Sequence, residues 1–84
     1  MTQKVSLPLS AEAQTLQMGT YEHYKGERYQ VLGVVRHSET LEELVFYRQM
    51  WGDWGYWVRP LKMFCETISI GTQEVPRFRY VGVS

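Results

Sequence analysis

The run Arg28-Tyr29-Gln30-Val31-Leu32-Gly33-Val34-Val35-Arg36-His37 constrains the fold more than any other part of this chain. Its β-branched residues read as a strand, yet its apolar side chains do not keep to one face. Tyr29, Val31 and Val35 alternate onto one side, and Leu32 and Val34 fall on the other. A strand that is apolar on both faces is either central in a sheet or strongly bent. Gly33 in its middle marks a bulge or a close backbone approach. A chain of 84 residues has no room for a second core. A bent strand that serves two layers of a small barrel resolves the conflict.

The flanking segments extend the same reading. Thr20–Tyr24 is a short strand joined to the long one by a tight turn at Lys25-Gly26-Glu27. Ser38–Glu42 turns the chain, and Thr40-Leu41-Glu42-Glu43 has the capping-box spacing that predicts one helical turn there. Glu43–Trp51 is a third strand, Gly52-Asp53-Trp54-Gly55 a loop, and Tyr56–Arg59 a fourth strand stopped by Pro60. Leu61–Phe64 forms a short helical turn. Glu66–Ile70 and Val75–Val81 are the last strands, with Phe78 and Tyr80 facing inward. Residues 1–18 differ: they hold no aromatic and are interrupted by Pro8, and Ser10 is placed to cap a short helix over residues 11–16. The expectation is a mainly β fold. It has an N-terminal tail or short helix over 1–18 and, over 19–84, a small antiparallel barrel of five or six strands, SH3-like or Tudor-like, with one short helical turn.

Nine basic residues balance nine acidic ones. Zero net charge argues against a protein that coats duplex DNA, because that affinity comes mainly from phosphate neutralisation. Cys65 is alone, so there is neither a disulfide framework nor a cysteine metal site. No apolar run approaches the roughly 20 residues that span a bilayer, and Met1-Thr2-Gln3-Lys4 opens no signal-peptide core. The expectation is a cytoplasmic protein with no membrane partner.

Several ordered motifs resemble a known family. Gly19-x-Tyr21-x-His23-Tyr24-Lys25-Gly26-x-x-Tyr29-x-Val31-x-Gly33 is followed by Arg36-His37-Ser38-Glu39-Thr40, by Leu44-Val45-Phe46-Tyr47-Arg48, by Trp57-Val58-Arg59-Pro60-x-x-Met63-Phe64 and by Val75-Pro76-Arg77-Phe78. Over residues 19–80 this resembles a family of small bacterial proteins classified as a domain of unknown function. The resemblance implies a compact bacterial domain and supplies no activity. Met50-Trp51 stands where the family pattern has Leu-Tyr, which keeps an aromatic.

His23 and His37 lie at opposite ends of a hairpin, on the order of 25 Å apart along an extended strand. They do not make a shared metal site, and no metal or cofactor is expected. His37 and Glu39 are two apart, so on an extended segment a carboxylate faces the imidazole, the pairing of a general base and its orienter. The competing reading has Ser38, Glu39 and Thr40 bonding the turn's own backbone, with His37 capping the strand. No nucleophile motif or phosphate loop accompanies either histidine, so no catalytic residue is assigned.

Half of the twelve aromatics fall between Phe46 and Trp57. Most must be core, but Trp54, in the glycine-bracketed loop, suggests a contact surface. Trp57 and Arg59 share a strand face, and an arginine held on a strand suits a carboxylate or phosphate. The first expectation is a binding module for a peptide, a nucleotide or a single-stranded nucleic acid, with Tyr24, His37, Glu39, Tyr47, Trp57 and Arg59 as its site. The alternatives are a minimal acid–base enzyme using His37 and Glu39, and a structural or homodimeric protein associating through Trp51 and Trp54. Partner identity, and the choice between monomer and homodimer, stay open at this level.

Overall fold

The structure is a computed structural model and describes residues 7–83. The first six residues of the expected 1–18 tail, and Ser84, lie outside the described residues. In chain order the elements are α1 (Ala11–Thr15), β1 (Gly19–His23), β2 (Arg28–Arg36), β3 (Glu43–Gln49), β4 (Tyr56–Pro60), α2 (Leu61–Phe64), β5 (Thr67–Ile70), β6 (Gln73–Pro76) and β7 (Phe78–Gly82). Five strands make one antiparallel sheet in the order β4-β3-β2-β1-β7, and β5 and β6 form a separate hairpin.

The expected five or six strands become seven because the last one divides at Arg77. Pro76 has no N–H to continue a ladder. Arg77 donates its N–H to the Glu66 carbonyl at 2.8 Å and accepts the Tyr24 N–H at 2.9 Å. It thereby carries the chain from the hairpin to the main sheet. The backbone ladder is open among the described residues: β4 and β7 are the two ends of the strand order. Side chains close the core instead. Phe64 on α2 stacks on Phe78 of β7 at 4.2 Å, meets Tyr21 of β1 edge-on at 5.3 Å and tilts against Tyr47 of β3 at 5.6 Å. With Ala13, Val31, Val45 and Leu61 these residues form the buried core.

A register shift between Val31 and Gly33 in the β2–β3 ladder changes which residues of β2 face inward. Val31 opposes Tyr47 and Val34 opposes Val45, so both point to the core, while Leu32 and Val35 are exposed. Simple alternation put Val35 on the face of Val31 and Val34 on the opposite one. A bulge adds one residue and reverses the phase beyond it. The helical turn expected at residues 40–43 is also absent. Leu41 takes the left-handed region at φ 64°, and the Thr40 hydroxyl accepts the Glu42 N–H at 3.2 Å, so the segment is a turn.

The segment before β1 packs against the ends of β2 and β3. Ser10 caps α1 by accepting the Ala13 N–H at 3.1 Å. Its own N–H and hydroxyl both donate to the Glu43 carboxylate at 2.7 Å. Those bonds hold Glu43 below the usual carboxylate range. Arg36 donates to the Leu7 and Pro8 carbonyls at 2.7 and 2.8 Å. Ala13 is thereby buried against the core.

Candidate functional site

The ladders decide which side chains can meet. Tyr47 opposes Trp57 and Val45 opposes Arg59 across β3 and β4, and Tyr29 opposes Gln49 across β2 and β3. Directly opposed residues share a face. Tyr29, Tyr47, Gln49, Trp57 and Arg59 therefore project to one side, and Trp51, just after β3, joins them. Together these six line an open concavity of about 240 Å³.

Its floor is aromatic. Tyr47 is buried, and its ring meets Tyr29 at 5.3 Å and Phe78 at 5.8 Å. Trp51 meets Tyr29 edge-on at 5.2 Å. Burial, with help from Glu27 and Tyr47, pushes the Tyr29 phenol above its ordinary value, and Arg59 pulls the other way. Arg59 lies with its guanidinium 5.7 Å from the Phe78 ring and donates from Nε to the Tyr47 hydroxyl at 3.4 Å. Among the described residues no carboxylate forms an ion pair with it, whereas Arg28, Arg77 and Arg79 each pair with a glutamate. Gln49 fixes the rim. Its Oε1 accepts the Trp57 indole N–H at 2.8 Å, and its Nε2 donates to Asp53 Oδ1 at 3.0 Å. One amide thus orients an indole and ties down the loop between β3 and β4.

Three of the six expected site residues come together here: Tyr47, Trp57 and Arg59. Tyr24 does not. Its ring tilts against His23 at 4.5 Å and lines a different concavity with Glu22, Ile70, Val75, Pro76 and Arg79. His37 and Glu39 also lie elsewhere, in the turn after β2. There the His37 Nδ1 accepts the Glu39 N–H at 3.1 Å and the Thr40 N–H at 3.3 Å. The imidazole thus meets the backbone of Glu39, and of the Ser38, Glu39 and Thr40 side chains that of Thr40 bonds the turn's backbone, accepting the Glu42 N–H. Tyr29, Gln49 and Trp51 are additions to the six expected site residues. The signal was present for two of them, because Tyr47, Gln49 and Trp51 follow at spacing two, the spacing that keeps residues on one strand face.

His23 has surroundings of its own. It is packed against Tyr24, Phe78 and Tyr29, and its Nδ1 accepts the Lys25 N–H at 3.2 Å. Burial lowers its pKa from the ordinary histidine value, Glu27 opposes this, and Arg59, Arg77 and Lys25 reinforce it. Among the described residues no three His, Cys, Asp or Glu side chains gather as a metal ion would require. None of the described helices is long and apolar enough to cross a membrane.

The family described as "Protein of unknown function (DUF1653)" matches residues 19–80. The chain belongs to this family. It is similar to a DUF1653 protein from Bordetella bronchiseptica known from a crystal structure, with 38% sequence identity and a TM-score of 0.78. That similarity covers 86% of this chain and 95% of the other. No curated protein matches this chain. All six residues of the concavity fall inside the part shared with DUF1653, whereas α1 and its Ser10 cap precede it.

Proposed function

We propose that this DUF1653 protein is a cytoplasmic bacterial binding module, and that the concavity of Tyr29, Tyr47, Gln49, Trp51, Trp57 and Arg59 is its recognition site. The strand order β4-β3-β2-β1-β7, with α2 ahead of the last strand, fits a partly open SH3-like arrangement. The ligand carries an anionic group beside a flat ring, the chemistry of a nucleotide or of a single-stranded nucleic acid. One observation carries this reading: Arg59 sits among aromatic rings without a carboxylate partner among the described residues. Such a guanidinium is available for charge-assisted bonds to a phosphate. Trp51 and Trp57 are both exposed beside it and offer π faces to a base. A cage for a cationic group is disfavoured, because Arg59 already brings positive charge to the rings. The acid–base reading of His37 and Glu39 has less support, since two turn amides occupy the imidazole Nδ1.

The test is isothermal titration with nucleoside monophosphates, short single-stranded oligonucleotides and short acidic peptides. Arg59→Gln should weaken phosphate-ligand binding by roughly 10- to 100-fold, the equivalent of about 1.5–3 kcal/mol for a bond to a charged group. Trp57→Leu should weaken it by about 1–3 kcal/mol through lost stacking. Binding of peptides alone, or nucleotide binding indifferent to Arg59→Gln, would overturn the assignment.

A further inference from the structure

The two edges of the main sheet are built differently. At β7 the ladder with β1 is interrupted by a register shift at Thr20 and Tyr21, Gly82 has a φ of 140°, and exposed Arg79 pairs with Glu22. Bulges and charges of this kind keep a sheet edge from pairing with another chain. Along β4 the ladder with β3 runs without a register shift, and Arg59 and Pro60 lie only at its C-terminal end. Tyr56, Trp57 and Val58 are 58%, 55% and 54% exposed, so the strand is open on both faces as well as along its edge.

The ladder phase gives the outward-facing groups of β4. The Gln49 N–H bonds the Gly55 carbonyl at 3.1 Å, in the register that opposes Arg48 to Tyr56. In an antiparallel pair the inward-bonded residues alternate. Gly55, Trp57 and Arg59 thus face β3, and the N–H groups of Tyr56 and Val58 face outward. Pro60, next in that phase, has no N–H to leave unpaired.

We propose that β4 is a self-recognition edge on which a second copy of this chain docks antiparallel, with Val58 opposite the partner's Val58. In that register Trp57 opposes the partner's Arg59, a cation–π pair made twice by the two-fold symmetry. Tyr56 opposes the partner's Pro60, whose carbonyl accepts the Tyr56 N–H. Every outward N–H of β4 then has an acceptor, and the sequence Tyr56-Trp57-Val58-Arg59-Pro60 is complementary to itself about its centre. Zero net charge sets no long-range repulsion between copies. The pairing draws on Trp57 and Arg59 of the proposed recognition site and would join two concavities into one trough, while its test at Val58 stands apart from ligand binding.

Val58 tests it without touching the concavity, because it points to the opposite face. Sedimentation analysis over a concentration series to roughly millimolar should show the wild type dimerising. Val58→Lys and Val58→Glu should each weaken self-association by about tenfold or more, since like charges would then face each other at the two-fold axis. Mixing the two variants should restore a heterodimer. As an independent check, Val58→Cys in a Cys65→Ser background should form a disulfide-linked dimer on mild oxidation, because directly bonded antiparallel residues lie about 5.5 Å apart. Val35→Cys, on the same face but away from the edge, should not. A wild type that remains monomeric, or variants that dimerise as it does, would overturn the proposal.

Discussion

Replacing Phe64 by alanine should cost this protein a large part of its stability. Phe64 is 1% exposed and is the side chain through which α2 reaches β1, β3 and β7. Truncating a buried phenylalanine removes transfer energy and leaves a cavity, together about 3–5 kcal/mol. Three ring contacts are lost as well, with Phe78, Tyr21 and Tyr47, and aromatic pairs contribute about 0.5–1.5 kcal/mol beyond burial. The expected loss therefore lies toward 5 kcal/mol. An 84-residue domain holds roughly 4–13 kcal/mol in all, so Phe64→Ala should lose from about two fifths to all of it. Phe64→Leu retains most of the apolar volume and should lose about 1.5 kcal/mol while staying folded. Urea titration followed by tryptophan fluorescence reads both values, with the m-value checking that the transition is still global. A Phe64→Ala loss near 1 kcal/mol with an unchanged m-value would refute the reasoning. The sheet would then hold together without the plug from α2.

Two further predictions concern protons and the N-terminal segment. The lowered pKa of His23 means that near pH 6 the unfolded chain binds more protons than the folded one, so its contribution to stability is lost as pH falls below about 6.5. Urea midpoints measured from pH 8 to pH 5 should show a shallower acid loss in His23→Gln than in wild type, and equal slopes would refute this. Ser10→Ala should release α1 locally at a cost of about 0.5–2 kcal/mol, seen as faster amide exchange at Ala13 and Gln14. Because Glu43 is held below the usual carboxylate range, the wild-type docking should persist at neutral pH and be lost as pH falls through that lowered value. Unchanged exchange at Ala13 in Ser10→Ala would show that the cap does not hold the segment.

Much of the fold was legible because its signals are local. Gly26 turns the first hairpin, Pro60 stops β4, and Leu61 with Phe64 gives α2 one buried face. What escaped depends on pairings between distant segments. Gly33 marks the bulge of β2 in the sequence, but the reversal that brings Val34 inward is set by the pairing with β3, which the β2 sequence alone does not contain. The break at Arg77 likewise needs Glu66 and Tyr24, from two other parts of the chain, to take its backbone groups. Open edges are equally non-local: an apolar pattern on both faces reads the same whether the ladder closes or a helical turn supplies the missing wall.

The same distinction explains the candidate site. Tyr24, His37 and Glu39 drew attention because they are close in a dense polar run. Neighbours along a strand are separated by about 3.3 Å per residue and point to alternate sides. The β1–β2 turn and the turn after β2 are therefore opposite ends of one hairpin, and no folding of that hairpin brings His37 to Tyr24. Cross-strand registers assemble the concavity instead. Tyr29 arrives opposite Gln49, and Trp57 opposite Tyr47, from three strands with separate sequence contexts. Arg59 is singled out only after pairing as well. The sequence offers six arginines of equal chemical standing. Glutamates take Arg28, Arg77 and Arg79, carbonyls take Arg36, and the Trp54 carbonyl with the Tyr56 ring takes Arg48. Arg59 remains, with a phenol and an aromatic face as its neighbours. A guanidinium in that setting keeps most of its bonding capacity for a ligand, which makes it the residue on which the binding proposal turns.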